Sequence, residues 1–201
     1  MDGVRPGRLR YRCFRSPVPE GWDARAAVGR SPVVGWQGRV WRMHKRRYRA
    51  EDPGGARKVS GRYNRGLERF PKEESFPALY LATAPETCLA EVYRHITTEL
   101  LPTLNDFRLS ELSVEVGEVL ECRHPKSLGL SLEHLVHDTD YEATQTIGAA
   151  ALVKGLEGLI VPSATRLGDN LILFPANLRA NSRIEVVSSR DPHLYVERQR
   201  G

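Results

Sequence analysis

Residues 61–64, with the sequence GRYN, and residues 79–91, with the sequence LYLATAPETCLAE, place an arginine, a tyrosine and a glutamate on three consecutive structural units. A second polar cluster follows much later, in residues 161–170. One carboxylate with separated cationic and aromatic groups suits a dinucleotide better than a peptide or a metal-bound substrate. These stretches therefore predict a nucleotide site.

The second stretch contains the end of a strand and the start of a helix. Residues 78–81 form a short apolar run, which is typical of a strand. Thr83 and Glu86 have capping-box spacing, in which the threonine accepts from the amide three residues on and the glutamate reaches back. We therefore expect a helix over residues 84–99, with Glu91 on a stripe of small residues.

Length and composition indicate one domain with a terminal extension. The chain has 201 residues, of which 40% are hydrophobic and 27% charged, and this is enough to bury a core. The formal net charge of +5 and the pI near 9.3 favour an anionic partner. A nucleotide, a nucleic acid and an acidic protein all fit that description.

The spacing of the cysteines and the length of the apolar runs indicate the cellular compartment of the protein. Cys13, Cys88 and Cys122 are odd in number and include no CxxC pair, which argues against a disulfide framework and a zinc knuckle. The sequence has no run of about 18 apolar residues to span a bilayer, and no apolar segment follows the basic N-terminus. We therefore expect a cytoplasmic protein without membrane contact.

The chain divides into three predicted parts. Residues 1–37 are rich in arginine, proline and glycine and show no sustained period, so we expect an irregular basic extension. Residues 38–190 hold the predicted helices and strands and form the predicted catalytic domain, and residues 191–201 form a tail. The first strand is expected at residues 39–43, and a basic run follows at residues 44–49.

The second half of the chain mixes strands with one longer helix. Thr139 and Glu142 offer another capping box, which opens a helix that we expect to end near Gly155 or Gly158. Because strands and helices do not alternate regularly, the predicted fold class is α+β. Apolar runs predict two strands or one bent strand over residues 112–120, interrupted at Gly117, and further strands at 158–161, at 170–174 and at 184–187.

Several catalytic motifs are missing from the sequence. No GxGxxG opens a helix after a strand, no GxxxxGK[ST] loop is present, and the six histidines show no HExxH spacing. Ser163 lacks the GxSxG context of a hydrolase nucleophile. The sequence therefore predicts a site that uses no metal, P-loop or Rossmann motif.

Five blocks along the chain resemble the RES domain family, which takes its name from an arginine, a glutamate and a serine. Each block alone is weak, and their order carries the resemblance over roughly residues 39–188. The blocks are VWR at 40–42, SGRYNRG at 60–66, LYLATAPETCLAE at 79–91, GLIVPSA at 158–164 and NLILFP at 170–175.

The resemblance implies the toxin of a bacterial toxin–antitoxin pair. It implies a single α+β domain similar to the core of ADP-ribosyltransferases, with mixed, split sheets and flanking helices. It also implies that NAD is consumed without a metal, and that an Xre-like helix-turn-helix antitoxin, itself the DNA-binding component, silences the enzyme. We further expect the chain to form a homo-oligomer within that complex and to make no direct contact with nucleic acid.

The resemblance also implies the site residues and, with the chemistry of NAD cleavage, their roles. The pyridinium is already a cationic leaving group, so Glu91 is expected to stabilise an oxocarbenium-like sugar or to orient the acceptor. Arg42 and Arg62 would hold the pyrophosphate, Tyr80 would stack on nicotinamide or the sugar, and Ser163 would bond the amide or ribose. The implied catalytic residues are Arg62, Glu91 and Ser163, and the implied substrate-binding residues are Arg42, Tyr63, Tyr80 and Asn170.

Two features depart from the family pattern. Tyr63 stands where a tryptophan is usual, so an aromatic face for stacking is retained. The segment from Gly66 to Pro77 is charged and longer than usual. Taken singly, Glu91 also fits a solvated helix glutamate and Arg62 a surface cation, and the order of the blocks is what favours a site.

Three activities remain open from the sequence. The first is hydrolysis or phosphorolysis of NAD, and the second is mono-ADP-ribosylation of a protein acceptor. A transferase often has a second acidic residue shortly before the catalytic one, and Glu86 is assigned to the capping box, which favours the first. The third is a nucleic-acid-binding module built on residues 44–49 and the arginine-rich N-terminus. The sequence argues against this module because its aromatic residues are not interleaved with the basic ones.

Overall fold

The structure, a computed structural model, describes residues 18–94 and 104–193. The predicted α+β class is confirmed, because helices flank one mixed sheet. Within those residues, no helix is long and apolar enough to cross a bilayer. The helices are α1 (Ala24–Arg30), α2 (Gly54–Lys58), α3 (Pro85–Tyr93), α4 (Leu132–Val136) and α5 (Glu142–Val153). The strands are β1 (Val33–Lys45), β2 (Leu79–Ala82), β3 (Phe107–Glu121), β4 (Gly158–Pro162), β5 (Asp169–Leu173) and β6 (Arg183–Arg190).

Five of the six strands pair in a ring. The strand order is β1, β2, β5, β4, β3, β6, and β1 also pairs with β3 along most of its length. β1 meets β2 at Trp41, which closes the ring, and β6 adds to the edge of β3. The β3–β4 pair is parallel and the others are antiparallel. Closure leaves few free strand edges in the ring.

The short central strands are buried on both faces. One apolar cluster takes residues from every strand of the ring, among them Ile160 of β4, and therefore fills the ring. Leu159 and Val161 of β4 point the other way, into a second cluster shared with α1 and α5. Burial on both faces explains why these strands are continuous apolar runs without alternation.

β3 is one continuous strand through Gly117, which excludes the two separate strands that were one of the two arrangements predicted from the sequence. One edge of β3 changes partner there, since residues up to Glu115 pair with β6 and residues from Val119 pair with β4. The amides of Gly117 and Glu118 lie between the two partners and donate to Oε2 of Glu157 at 2.7 and 2.9 Å. This carboxylate therefore supplies the hydrogen bonds that the sheet lacks at that point.

α1 and the first residues of β1 lie in the region predicted as an irregular extension up to residue 37, so that prediction is wrong there. Ala27 is fully buried against the domain. Nε1 of Trp22 donates to the carbonyl oxygen of Leu128 at 2.7 Å. A helix this short gives too little periodic pattern to stand out from an arginine-rich sequence. Residues 1–17 lie outside the described residues.

Neither predicted capping box forms. α3 begins after Ala84 without a side-chain cap, and the hydroxyl of Thr83 donates instead to the carbonyl oxygen of Asp169 at 3.0 Å. α5 also begins without a side-chain cap. Thr83 thus joins the start of α3 to β5, a contact that local spacing does not reveal. The predicted helix beyond residue 94 and the tail from residue 194 lie outside the described residues.

Residues 61–64, which we call the GRYN loop, pack against α5. Nε2 of Gln145 donates to the carbonyl oxygen of Gly61 at 2.9 Å. Gly148 approaches the loop so closely that an added Cβ would lie 2.2 Å from the carbonyl oxygen of Tyr63. Glycine at position 148 is therefore needed for the helix and the loop to pack at this distance.

We expect Gly148→Ala to lower the free energy of unfolding by about 1–3 kcal/mol, because the added methyl group forces the loop or the helix to shift. Gly29→Ala is the matched control, since Gly29 lies in α1 with nothing within 4 Å of an added Cβ. That change should be neutral or stabilising by up to about 1 kcal/mol. Urea denaturation followed by circular dichroism measures both, and equal stability of the two variants would contradict this packing.

Candidate active site

A cleft of about 680 Å³ lies between the ring and α3 and brings the predicted site residues together. Its volume is in the usual range for small-molecule sites. A larger cavity, of about 870 Å³ between α1, α5 and residues 73–76, contains none of them. Arg42, Arg62, Tyr63, Tyr80, Glu91 and Asn170 line the cleft, and Ser163 is buried next to Glu91.

Glu91, on α3, has one carboxylate oxygen fixed by the protein. Its Oε1 accepts from Oγ of Ser163 at 2.6 Å, from the amide of Ala164 at 3.0 Å and from Nδ2 of Asn170 at 3.0 Å. Oε2 lies 3.8 Å from Nη1 of Arg94. Three donors on one oxygen hold the carboxylate in a single orientation and leave Oε2 for a ligand.

The turn between β4 and β5 presents two of these donors. The amide of Ser163 donates to the carbonyl oxygen of Gly168, and its hydroxyl also lies 2.7 Å from Oγ1 of Thr165. Gly168 has φ of 93°, a conformation that favours glycine. Ser163 is fully buried, so its hydroxyl faces Glu91 and not the cleft, unlike the direct ligand contact expected from the resemblance.

Arg42, on β1, is held by backbone carbonyl groups. Its Nη1 donates to the carbonyl oxygens of Ala50 and Asp52, the second at 2.8 Å. Burial lowers the pKa of Arg42 from its ordinary value, while the nearby carboxylate of Asp52 acts in the opposite direction. A guanidinium stays charged in spite of such a shift. Arg42 is therefore a cation of fixed orientation in the wall of the cleft.

Arg62, in the GRYN loop, is held in a similar way at the C-terminal end of α4. Its Nη1 donates to the carbonyl oxygens of Leu135 at 3.1 Å and His137 at 2.6 Å. Its guanidinium lies over the ring of Tyr141, 4.6 Å from the centroid. In the described parts of the chain, neither Arg62 nor Arg42 makes a hydrogen bond through Nη2, which leaves one edge of each guanidinium for an anionic ligand.

Tyr80, on β2, joins this strand to the GRYN loop. Its hydroxyl accepts from the amide of Tyr63 at 2.8 Å and donates to Oδ1 of Asn64 at 2.9 Å. Asn64 is fully buried and donates in turn to the carbonyl oxygens of Ala56 and Val59. Burial raises the pKa of Tyr80 well above its ordinary value, so the hydroxyl remains a donor. Its ring lines the cleft, and stacking on a ligand stays a prediction.

The ring of Tyr63 lies in the core and not in the cleft. It is 1% exposed and belongs to the same apolar cluster as Ile147 and Phe174. Burial raises the pKa of Tyr63 well above its ordinary value. The ring is therefore not positioned to stack on a ligand in the cleft, and a part for Tyr63 in substrate binding stays a prediction. The resemblance supplied an aromatic residue, but only the packing against α5 determines which way it points.

Among the cleft residues that were not predicted from the sequence, three bring a charge or a large aromatic ring close to the predicted ones: Trp41, Arg94 and Tyr141. Arg94 stands three positions after Glu91, a helical spacing that brings two side chains together and could have identified it. Trp41 precedes Arg42 on β1. Tyr141 meets Arg62 only through the fold, so no local pattern points to it.

The cleft carries a net positive charge. Arg42, Arg62 and Arg94 line it together with Glu91, which is the only carboxylate among the described lining residues. In the described ranges, no three histidine, cysteine, aspartate or glutamate side chains lie close enough to hold a metal ion. Burial raises the pKa of Cys88 to about 12, so its thiol is protonated at neutral pH. The charges suit a ligand with two phosphates and one developing cation.

Comparisons of the sequence and of the structure with known proteins find relatives of the same family. The family model for the RES domain matches residues 39–197. The NAD(+) phosphorylases MbcT of Mycobacterium bovis and Mycobacterium tuberculosis are each 30% identical over 152 residues, which is 71% of this chain and 77% of each relative. A chain of the crystal structure of the M. tuberculosis MbcT–MbcA toxin–antitoxin complex is 25% identical, with a TM-score of 0.72, and the match covers 92% of this chain and 100% of that chain.

We expect Tyr80→Phe to lower the free energy of unfolding by about 1–3 kcal/mol, because the amide of Tyr63 loses its acceptor and Asn64 loses a donor. Tyr48→Phe is the control, since Tyr48 is 49% exposed, and its effect should stay within about 0.5 kcal/mol. Thermal and urea denaturation measure both variants. Wild-type stability in Tyr80→Phe would show that this hydroxyl does not support the loop.

Proposed function

Because this chain belongs to the RES domain family, we propose that it is the toxin of a toxin–antitoxin pair and that it cleaves NAD by phosphorolysis. The products are nicotinamide and ADP-ribose 1″-phosphate. The observation that carries the proposal is the arrangement at Glu91, where three donors fix Oε1 and three arginines line the same cleft. The family match and the activity named for MbcT support it further.

The reaction needs little more than positioning and charge stabilisation. The nicotinamide ring leaves as a neutral molecule when it takes the electron pair of the bond between its nitrogen and the ribose, so no strong acid is required. The sugar develops positive charge at the anomeric carbon. Glu91 stabilises this charge through Oε2 and accepts a hydrogen bond from a ribose hydroxyl. The fixed Oε1 means that the carboxylate does not reorient during the step.

Arg42 and Arg62 hold the pyrophosphate in this proposal. Each uses Nη1 on backbone carbonyls and presents its other edge to the cleft, so each is oriented before the substrate arrives. Guanidinium groups pair with two phosphate oxygens at once and remain charged at any working pH. Tyr80 or Trp41 offers a ring face for nicotinamide.

Ser163 and Asn170 act through Glu91. Both donate to Oε1, and the buried position of Ser163 makes it a positioning residue.

From the family resemblance we also infer a core related to that of ADP-ribosyltransferases, which a mixed sheet bordering a single catalytic glutamate supports. A second acid is not available for a transferase, because Glu86 is exposed and does not line the cleft among the described residues.

The proposed partner is a helix-turn-helix antitoxin protein that covers the site. The support is the toxin–antitoxin complex in which the related MbcT was solved with MbcA. The formal charge of +5 suits an acidic partner surface. A homo-oligomer within the complex and a cytoplasmic location stay predictions.

We expect Glu91→Gln to abolish NAD cleavage, with nicotinamide release falling by at least about a hundredfold, because the neutral amide no longer stabilises the sugar cation. Glu86→Gln is the matched control: it lies on the same helix, is exposed and does not line the cleft. Its activity should stay within about twofold of the wild type. Chromatography of nicotinamide, with and without phosphate, measures the rates.

Two outcomes would overturn the proposal. An active Glu91→Gln variant would refute the assignment of the carboxylate. Wild-type protein that releases no nicotinamide, with or without phosphate, would refute NAD cleavage altogether. Transfer of label from NAD to a lysate protein in place of phosphate would identify the chain as an ADP-ribosyltransferase.

A further inference from the structure

Arg94 occupies a position in the cleft that the roles above leave without a function. It follows the last turn of α3, and its side chain is 26% exposed. Its Nη1 lies 3.8 Å from Oε2 of Glu91, the carboxylate oxygen that receives no other donor from the described residues. Its Nη2 pairs with the carboxylate of Asp138, in the segment between α4 and α5. Arg94 is therefore the guanidinium in direct contact with the proposed catalytic oxygen.

The contacts of Arg94 differ in kind from those of the other two arginines. Arg42 and Arg62 are bound to backbone carbonyls, which stay in place when a ligand enters. Arg94 contacts two carboxylates, and that of Asp138 is 75% exposed. An exposed ion pair contributes little to stability and exchanges readily. Arg94 can therefore give up Asp138 for an incoming anion, whereas Arg42 and Arg62 serve as fixed walls.

We propose that Arg94 binds the inorganic phosphate that attacks the ribose, and that it selects phosphate over water as the acceptor. This inference rests on the proposed function. Glu91 contacts the ribose through Oε2, so a group 3.8 Å from that atom lies beside the reacting carbon. A phosphate there would otherwise meet the negative charge of Glu91, and a guanidinium between them offsets that repulsion.

The step balances without a further reactant. An oxygen of the phosphate dianion supplies the electron pair of the new bond to the anomeric carbon. The bond from that carbon to the nicotinamide nitrogen breaks, and its electrons neutralise the pyridinium ring. The proton of the dianion remains on the phosphate ester and is released to solvent by its own ionisation. Water as acceptor would have to lose a proton during attack, whereas phosphate needs only to be held and oriented.

Asp138 has a part in this arrangement as the competitor for Arg94. In the absence of phosphate its carboxylate occupies Nη2 of Arg94, the group that phosphate would use. When phosphate binds, it replaces Asp138 on Nη2. Removing the charge of Asp138 should therefore strengthen phosphate binding, while removing the charge of Arg94 weakens it.

The test is the dependence of nicotinamide release on inorganic phosphate in Arg94→Gln, Arg94→Lys and Asp138→Asn. We expect Arg94→Gln to raise the KM for phosphate by about tenfold or more, with the KM for NAD changed less than about threefold. Arg94→Lys should recover part of the loss, because one charged contact remains. Asp138→Asn should lower the KM for phosphate by up to about fivefold. The ratio of ADP-ribose 1″-phosphate to ADP-ribose, from phosphorus NMR, reports acceptor choice and should fall in Arg94→Gln.

Arg179→Gln is the control, since Arg179 pairs with Glu118 outside the cleft and its loss should leave both KM values unchanged. An unchanged KM for phosphate in Arg94→Gln, or an equal rise in the KM for NAD, would overturn the inference. Complete loss of activity in a folded Arg94→Gln protein would also overturn the inference. An unchanged or raised KM for phosphate in Asp138→Asn would do the same. Broadening of the phosphate NMR line by wild-type and Arg94→Gln proteins measures binding without turnover, and so separates failure of this inference from failure of NAD cleavage.

Discussion

The contact of Glu91 with the turn between β4 and β5 is the interaction on which the site depends. Three donors from that turn and from β5 converge on Oε1, and they join α3 to two strands of the ring. The same junction is reinforced by the contact of Thr83 with Asp169 and by that of Thr87 with the carbonyl oxygen of Leu167. Hydrogen bonds to a charged acceptor are stronger than hydrogen bonds to a neutral one. The turn therefore fixes the proposed catalytic carboxylate and the start of its helix together.

The GRYN loop is a second support, and most of its residues act in packing. Tyr63 fills the core, Asn64 holds the loop from within, and Gly61 accepts from α5. Only Arg62 presents its charge to the cleft, where its guanidinium rests on carbonyl groups and on Tyr141. One short motif thus orients a cation by burying its neighbours. Loops are mobile in many proteins, and this packing explains how a loop can hold the side chain of Arg62 in one orientation.

Local pattern in the sequence was enough to predict several elements and part of the site. The apolar runs of β2, β4 and β5 and the length of α5 were predicted because burial on one or both faces leaves a regular pattern. The block order identified Arg42, Arg62, Tyr80 and Glu91, and the structure brings these residues to one cleft.

What could not be predicted depends on contacts between distant parts of the chain. β3 continues through Gly117 because Glu157 supplies hydrogen bonds from across the sheet. The backbone of Tyr63 packs closely against α5 because Gly148 has no side chain. The most direct measurement of the central claim is the kinetics of Ser163→Ala, since Ser163 contacts Glu91 and is closed off from the cleft. The claim predicts a kcat for nicotinamide release lower by about a hundredfold, from loss of orientation, with a nearly unchanged KM for NAD. An unchanged kcat with a raised KM for NAD would contradict it, because Ser163 would then bind the substrate itself.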